Sequence, residues 1–423
     1  MRVTGTVRAP GDKSITHRAL LLAALARGTS HVGGALTSLD ARSSARVLRQ
    51  MGAEISPLRD GEVLTVRGRG RFRRPDRILH CGNSGTTTRL LLGLLAGHRF
   101  RATLTGDASL RRRPMRRVTV PLAEMGARFE ENGGDGLPLS IRGGPLRPLR
   151  YAMPVSSAQI KSALLLAGVV GGVPVDLLEP SGRSRDHTER MLRAFGFDVG
   201  ERDGWIEFRP GGRVQPFDVQ VPGDPSSAAF LVGAAVLAEA GALRIAGVGV
   251  NPTRTGFLRV LERMGAAVAV EAPDTSFGEP VADLIARPAP LRHTEVVAAE
   301  IPGLIDEIPM LAALASRAAG ETVFRDVGEL RVKESDRLGL IADNIRAIGG
   351  RADARDDDLY VEGVEAPPRG TVRTAGDHRI AMAFAVLGTL PGARVAVDDM
   401  ACAAVSFPGF PETLRGIAAR GRA

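Results

Sequence analysis

Lysine is rare in this chain: only Lys13, Lys161 and Lys333 stand among 56 Lys+Arg residues, the others being arginine. A chain so biased toward arginine keeps a lysine where a compact, movable ammonium with an adjustable pKa does something a guanidinium cannot. Lys13 sits in Pro10-Gly11-Asp12-Lys13-Ser14-Ile15-Thr16-His17-Arg18, where a strand-like run ends, a Pro-Gly-Asp turn follows and an Ala/Leu-rich helix begins. Two cations and a hydroxyl gather there, where the free N–H groups and the dipole of a helix start already favour an anion. Lys333 lies in Lys333-Glu334-Ser335-Asp336-Arg337, a second polar segment that leads into an apolar helix. Taken alone, each segment also reads as an ordinary capped helix with surface charges. Recurrence separates the two readings. Gly82-Asn83-Ser84-Gly85-Thr86-Thr87-Thr88-Arg89, Ser156-Ser157-Ala158-Gln159-Ile160-Lys161, Ser184-Arg185-Asp186-His187, Asp306-Glu307-Ile308-Pro309 and Asp377-His378-Arg379 all precede apolar helical runs. Together these segments and the loop around Arg113 would offer Lys13, Arg18, Arg113, Arg185, Lys333, Arg337 and Arg379 to phosphorylated or carboxylated metabolites. Asp306 and Glu334 would be the acids among them, a general base and a proton donor, although either alone is readable as a cap that complements the helix dipole.

The elements that position these segments repeat. Leu-x-x-Met-Gly-Ala, or a close variant, ends a helix at 48–53, 122–127, 192–197, 261–266 and 345–350, and the helix at 414–420 supplies a worn sixth copy. The glycines at 52, 126, 196, 265 and 349 lie 69 to 84 residues apart. A period of this size indicates repeated supersecondary units, here strand, helix, strand, helix, strand, strand, and so an α/β fold. Pro222-Gly223-Asp224-Pro225-Ser226 echoes the first motif, which divides six units into two halves of three. The chain is expected to pass between the halves near Gly11 and near Pro222, with the helix starts bordering a cleft between them, the usual place for a substrate.

Composition narrows the class. Hydrophobic residues at 44% and charged residues at 24% describe globular domains, and 423 residues suffice for two or three. A net charge of +9 fits nucleic acid, anionic lipid or small anions equally. Arg67-Gly68-Arg69-Gly70-Arg71-Phe72-Arg73-Arg74 resembles a short RGG segment but carries one aromatic between strand-like runs, so a solvated turn is expected. Two cysteines, Cys81 and Cys402, exclude a disulfide framework, and no Cys/His spacing suits a metal. With no membrane-length apolar run and no leader pattern, a cytoplasmic protein is expected.

The motifs around Lys13, Gly85, Arg113-Pro114, Ser157-Ala158-Gln159, Arg331-Val332-Lys333-Glu334-Ser335-Asp336-Arg337 and Asp377-His378-Arg379 resemble, in order and from end to end, those of the 5-enolpyruvylshikimate-3-phosphate synthase family. The resemblance implies two similar domains, each of three βαβαββ repeats (an inside-out α/β barrel), joined by two crossover segments. The implied bounds are 1–11 with 223–423 for one domain and 12–222 for the other. It implies transfer of the enolpyruvyl group of phosphoenolpyruvate to the 5-hydroxyl of shikimate 3-phosphate, with release of phosphate and with neither cofactor nor metal. Lys13, Ser14, Arg18, Ser157, Gln159, Arg185, Asp306 and Lys333 would hold shikimate 3-phosphate. Lys13, Gly85, Arg113, Gln159, Arg337 and Arg379 would hold phosphoenolpyruvate. Asp306 would take the hydroxyl proton, while Lys13 and Glu334 would serve protonation at C3 and departure of phosphate. The partners implied are these two small molecules, with no nucleic acid and no membrane, and a monomer is expected.

Two features depart from the family pattern: Val405 stands where many members carry a lysine, and Leu90 replaces a proline. The first, with Ser157-Ala158-Gln159-Ile160-Lys161 and Asp186-His187-Thr188-Glu189, resembles the second of the family's sequence groups. A related transferase acting on UDP-N-acetylglucosamine shares the chemistry, but its Lys-Asn pair and loop cysteine are absent here: Ser14 follows Lys13, and 110–117 holds no cysteine. A basic RNA-binding protein is disfavoured by 4% aromatic content and by acids among the helix starts. Glyphosate competes for the phosphoenolpyruvate site in this family, and a glycine at 85 leaves room for this longer molecule. Gly85→Ala is therefore expected to raise the inhibition constant of glyphosate, measured in competition with phosphoenolpyruvate, and to weaken phosphoenolpyruvate itself; equal constants for the two proteins would show that Gly85 does not set that space.

Overall fold

Five of the six repeats open with a parallel strand pair and close with a hairpin. In the repeat beginning at position 79, Leu79–His80 lies parallel to Arg101–Thr105, which runs antiparallel to Leu139–Arg142, itself antiparallel to Arg128–Glu131. The computed structural model describes residues 1–131, 134–180 and 182–419, so position 420, the end of the expected last helix, lies outside the described residues. Among these, five sheets have four strands in the same order and a sixth has two, Arg369–Val372 and Arg394–Val397. The last repeat thus departs from the expected βαβαββ pattern: its second helix, Phe410–Ala419, packs on strand Arg2–Arg8, with no closing hairpin among the described residues.

The chain divides into two compact units, one of Met1–Pro10, Pro222–Thr275 and Pro280–Ala423, the other of Gly11–Val221 and Ser276–Glu279. These limits differ from 1–11 with 223–423 and 12–222 by one residue at each passage. A larger difference is Ser276–Glu279, the tip of the hairpin formed by Ala267–Ser276 and Glu279–Arg287, which belongs to the second unit. Phe277 explains the placement, because it stacks on Phe217 and meets Phe195 edge-on. The opening strands are exchanged. Strand Arg2–Arg8, which precedes the first helix of the second unit, pairs with Ala240–Gly249 in the first unit. Strand Asp218–Gln220, which precedes the first helix of the first unit, pairs with Arg27–Gly33 in the second.

The first helix of each repeat is apolar on every side. Lys13–Leu25, Gly85–Ala96 and Ala158–Gly171 in the second unit, and Pro225–Val236, Ile308–Ala315 and His378–Leu387 in the first, are buried along almost their whole length. A helix without a polar face is stable only when surrounded, and each unit has its own continuous hydrophobic core. The second helix of each repeat, such as Leu39–Gln50 or Gly256–Arg263, buries one face only. These one-faced helices end on Gly52, Gly126, Gly196, Gly265 and Gly349, all at φ between +78° and +115°. The recurring glycine of the sequence is therefore the left-handed residue that ends each helix and turns the chain into a strand.

Close packing of the central helices depends on a second kind of glycine. A Cβ on Gly93 would lie 2.0 Å from the carbonyl oxygen of Ala163, backbone against backbone. Gly93→Ala should therefore cost about 1–3 kcal/mol or more in denaturant unfolding. Gly144→Ala, at a site with nothing within 4 Å of the added carbon, should be close to neutral. Equal stability of the two variants would contradict this packing.

Candidate active site

The second unit collects its polar groups at the starts of its buried helices. Asp12 caps Lys13–Leu25 through its carboxylate, which accepts from the Ile15 N–H at 2.8 Å. Lys13 then pairs with Asp40 at 2.5 Å, an acid on the neighbouring helix that no sequence motif singled out. Arg18, one turn on, is buried and donates to Thr188 Oγ1 at 2.7 Å, Ser162 Oγ at 2.7 Å and the Ser14 carbonyl at 3.0 Å. Burial, with Glu189 and Asp12 opposing it, pulls its pKa down to about 10, so it stays cationic near neutral pH. Arg185 Nη1 lies 3.4 Å from Ser14 Oγ, which brings Ser14, Arg18 and Arg185 together.

A neighbouring group forms around Gly85. Ser84 caps helix Gly85–Ala96 by accepting from the Thr87 N–H at 3.1 Å. The Gly85 N–H, expected to face a ligand, donates to the Asn83 carbonyl at 3.1 Å. The Asn83 side chain links Arg113 to Asp107: its oxygen accepts from Arg113 Nη2 at 2.6 Å and its nitrogen donates to Asp107 Oδ2 at 2.7 Å. Gln159 meets Arg89 at 2.5 Å and Thr86 Oγ1 at 3.0 Å. Ser157 occupies the N-cap position of Ala158–Gly171 without a side-chain capping bond. A Cβ on Gly85 would come within 3.0 Å of Arg89 Nη1 and 3.3 Å of Arg113 Nη1, both ends of flexible side chains.

The first unit gathers its acids on one guanidinium. Arg337, 1% exposed, donates from Nε to Asp377 at 2.7 Å, from Nη2 to Glu334 at 2.5 Å and from Nη1 to Asp306 at 3.4 Å. Burial alone would lower its pKa, but Asp377, Glu334 and Asp306 together raise it. Arg379 donates to the Asp306 backbone carbonyl at 3.0 Å and has Nη2 3.7 Å from the Asp306 carboxylate. Burial pushes the Lys333 ammonium below its ordinary pKa against the attraction of Asp306. Neither Asp306 nor Glu334 is a helix cap: Ile308–Ala315 starts after Glu307, and Arg337–Ala347 is capped by Asp336, which accepts from the Gly339 N–H at 3.1 Å. Sequence reasoning missed the support beneath Asp306. Glu307, fully buried, accepts from Ser226, and Arg254 donates to Ser226 at 2.7 Å and to Asp224 at 3.3 Å. The signal was present in Asn251-Pro252-Thr253-Arg254-Thr255-Gly256, a polar segment before a helix like those that were singled out.

Lys161 is the exception among the three lysines. Its ammonium is 2.8 Å from Glu189 and 3.1 Å from Glu179, all three side chains 1–3% exposed, and it donates to the Ser184 carbonyl at 3.1 Å. Burial would lower its pKa, yet Glu189 and Glu179 more than offset this and raise it. It joins Glu179 and the Ser184 carbonyl to Glu189 on helix His187–Ala194.

The whole chain has relatives. Residues 1–414 match the family model for EPSP synthase (3-phosphoshikimate 1-carboxyvinyltransferase). A 3-phosphoshikimate 1-carboxyvinyltransferase of Desulfitobacterium hafniense is 46% identical over 420 residues, covering 99% of this chain and 96% of the relative. Its counterpart in Gloeobacter violaceus is 48% identical over 418 residues, covering 98% and 96%. The solved EPSP synthase of Acinetobacter baumannii superposes with a TM-score of 0.85 at 38% identity, over 99% of this chain and 96% of that one.

Lys161→Met should destabilise the protein by roughly 3–5 kcal/mol, because two buried carboxylates lose their cation. Urea unfolding at neutral pH measures this; undiminished stability would show that Glu179 and Glu189 do not depend on Lys161.

Proposed function

Because this chain belongs to the EPSP synthase (3-phosphoshikimate 1-carboxyvinyltransferase) family, we propose that the residues gathered in its two units serve one enolpyruvyl transfer. The enzyme is a transferase of the shikimate pathway: it moves the enolpyruvyl group of phosphoenolpyruvate to the 5-hydroxyl of shikimate 3-phosphate and releases phosphate. In our reading Lys13, Ser14, Arg18, Ser157, Gln159, Arg185, Asp306 and Lys333 hold shikimate 3-phosphate. The hydrogen bonds of Arg18 go to neutral oxygens, which leaves its charge to answer a phosphate. Lys13, the Gly85 amide, Arg113, Gln159, Arg337 and Arg379 hold phosphoenolpyruvate. For the Gly85 amide this requires that the ligand displace the Asn83 carbonyl.

The chemistry is addition followed by elimination. Asp306 takes the proton of the 5-hydroxyl as that oxygen bonds to C2, and C3 receives a proton to become a methyl group. The C2–O bond to phosphate then breaks as C3 gives a proton back, which restores the enol ether. Lys13 and Glu334 serve the C3 proton and the departing phosphate. Only proton transfers and charge stabilisation are needed, and the reading uses no metal or cofactor. The phosphoenolpyruvate anion takes over part of the Arg337 charge that Asp306 and Glu334 now answer, freeing both acids for proton transfer. The same reading makes the protein a cytoplasmic monomer; among the described residues no helix is long and apolar enough to cross a membrane.

The observation that carries the assignment of the acids is the Arg337 cluster, in which two carboxylates readable from sequence as caps face a buried guanidinium instead. Phosphate release is expected from phosphoenolpyruvate with shikimate 3-phosphate and not with UDP-N-acetylglucosamine. Asp306→Ala and Glu334→Ala should each slow turnover by roughly 100-fold or more. Near-normal turnover with a lowered melting temperature would reduce both acids to structural partners of Arg337.

A further inference from the structure

We propose that Arg89, which lies outside the set of residues assigned to substrates, orients the side-chain amide of Gln159 so that it can only donate toward phosphoenolpyruvate. The inference rests on reading Gln159 as a phosphoenolpyruvate contact. A carboxamide has nearly the same shape either way round but opposite hydrogen-bonding ends, so its neighbours decide which end faces the ligand. Arg89 has donors only, and its Nη1 lies 2.5 Å from Gln159 Oε1. The Gln159 NH2 group is thereby turned to the other side, where it donates one N–H to Thr86 Oγ1 at 3.0 Å and keeps a second to donate. Phosphate and carboxylate offer acceptors alone. A flipped amide would set lone pairs against them, and it would also face its own N–H groups to a cation.

The same guanidinium fixes two more parts. Nη2 of Arg89 donates to the Pro114 carbonyl at 3.0 Å, immediately after Arg113. A Cβ on Gly85 would lie 3.0 Å from Arg89 Nη1, so the glycine makes room for this guanidinium as well as for a ligand. One planar fork therefore ties the helix start at Gly85, the Arg113-Pro114 turn and the helix start at Gln159. A lysine ammonium carries charge but lacks the fixed pair of directions. Arg89 is accordingly a positioning residue, and Gln159 is the group it acts through.

Steady-state phosphate release with shikimate 3-phosphate saturating tests this on five proteins: parent, Arg89→Gln, Arg89→Lys, Gln159→Ala and Arg89→Gln with Gln159→Ala. In the parent, Arg89→Gln should raise KM for phosphoenolpyruvate roughly tenfold or more with a smaller change in kcat, as loss of a charged hydrogen bond does. In the Gln159→Ala background it should add no more than about threefold, because the group it positions is gone. Arg89→Lys should resemble Arg89→Gln more than the parent. Losses that multiply fully in the double variant overturn the inference and leave Gln159 as a substrate contact. A Gln159→Ala protein with unchanged KM overturns that assignment and the inference with it. Melting temperatures of all five separate a folding defect from either result: a KM rise that appears only with a collapsed melting temperature also counts against the inference.

Discussion

The constraint on which this structure depends is that the first helix of each repeat has no face left for water. With apolar contact along every side, the helix can place a charged or strongly polar group in contact with a ligand only where its lateral burial stops, which is at its ends. The N-terminal end is also the one that attracts anions, through free N–H groups and the dipole. An enzyme for two anionic substrates and a fold built from surrounded helices therefore make the same demand. Where a charge does lie along such a helix it is closed into a pair or network, as Lys161 is by Glu179 and Glu189 and Arg18 is by hydroxyl and carbonyl oxygens.

Within each unit the charges divide by how they are answered. The acids of the first unit converge on Arg337, so an anion arriving there competes with protein carboxylates for a cation already in place. In the second unit Arg113 donates to an asparagine oxygen, Arg18 donates to hydroxyl and carbonyl oxygens, and Lys13 meets Asp40. The neutral oxygens that accept from Arg18 fix the direction of its guanidinium without a carboxylate occupying those donors, which suits the phosphate contact we assign to it. The difference is one of chemistry as well as charge, since the unit that gathers acids is the one assigned the proton transfer from the acceptor hydroxyl.

Much of this was legible in the sequence because it is local. The helix-ending glycines announce themselves by spacing, and the structure gives them the positive φ that only glycine adopts without strain. The Pro-Gly-Asp echo gave the two halves, and both aspartates cap helices. What the sequence hid is relational. Asp40 and Lys13 are 27 residues apart in number and share no motif, and Arg89 looks like one more arginine on a helix. Scarcity alone cannot distinguish an ammonium kept for catalysis from one kept for a tight buried pair, which is what Lys161 forms. Asp306 and Glu334 were readable as caps because a cap and a proton acceptor use the same residue types near the same helix start; only the actual first residue of each helix separates them. The passage of Ser276–Glu279 into the other unit likewise comes from long-range packing, of Phe277 against Phe217 and Phe195.

The exchanged opening strands bear on how the molecule is made. Strand Arg2–Arg8 is synthesised more than 200 residues before its partner Ala240–Gly249. The second unit, by contrast, has all of Gly11–Val221, the strand Asp218–Gln220 included, in hand before residue 222 and lacks only the hairpin tip Ser276–Glu279. Synthesis thus presents a nearly complete second unit while the N-terminal strand still has unpaired N–H and C=O groups, an edge open to pairing with other chains. That strand carries arginine at both ends, Arg2 and Arg8, and glycine at its centre. Charge and a weak strand former are the means by which natural sequences keep an unpaired edge from aggregating, so this strand is built to wait for its partner.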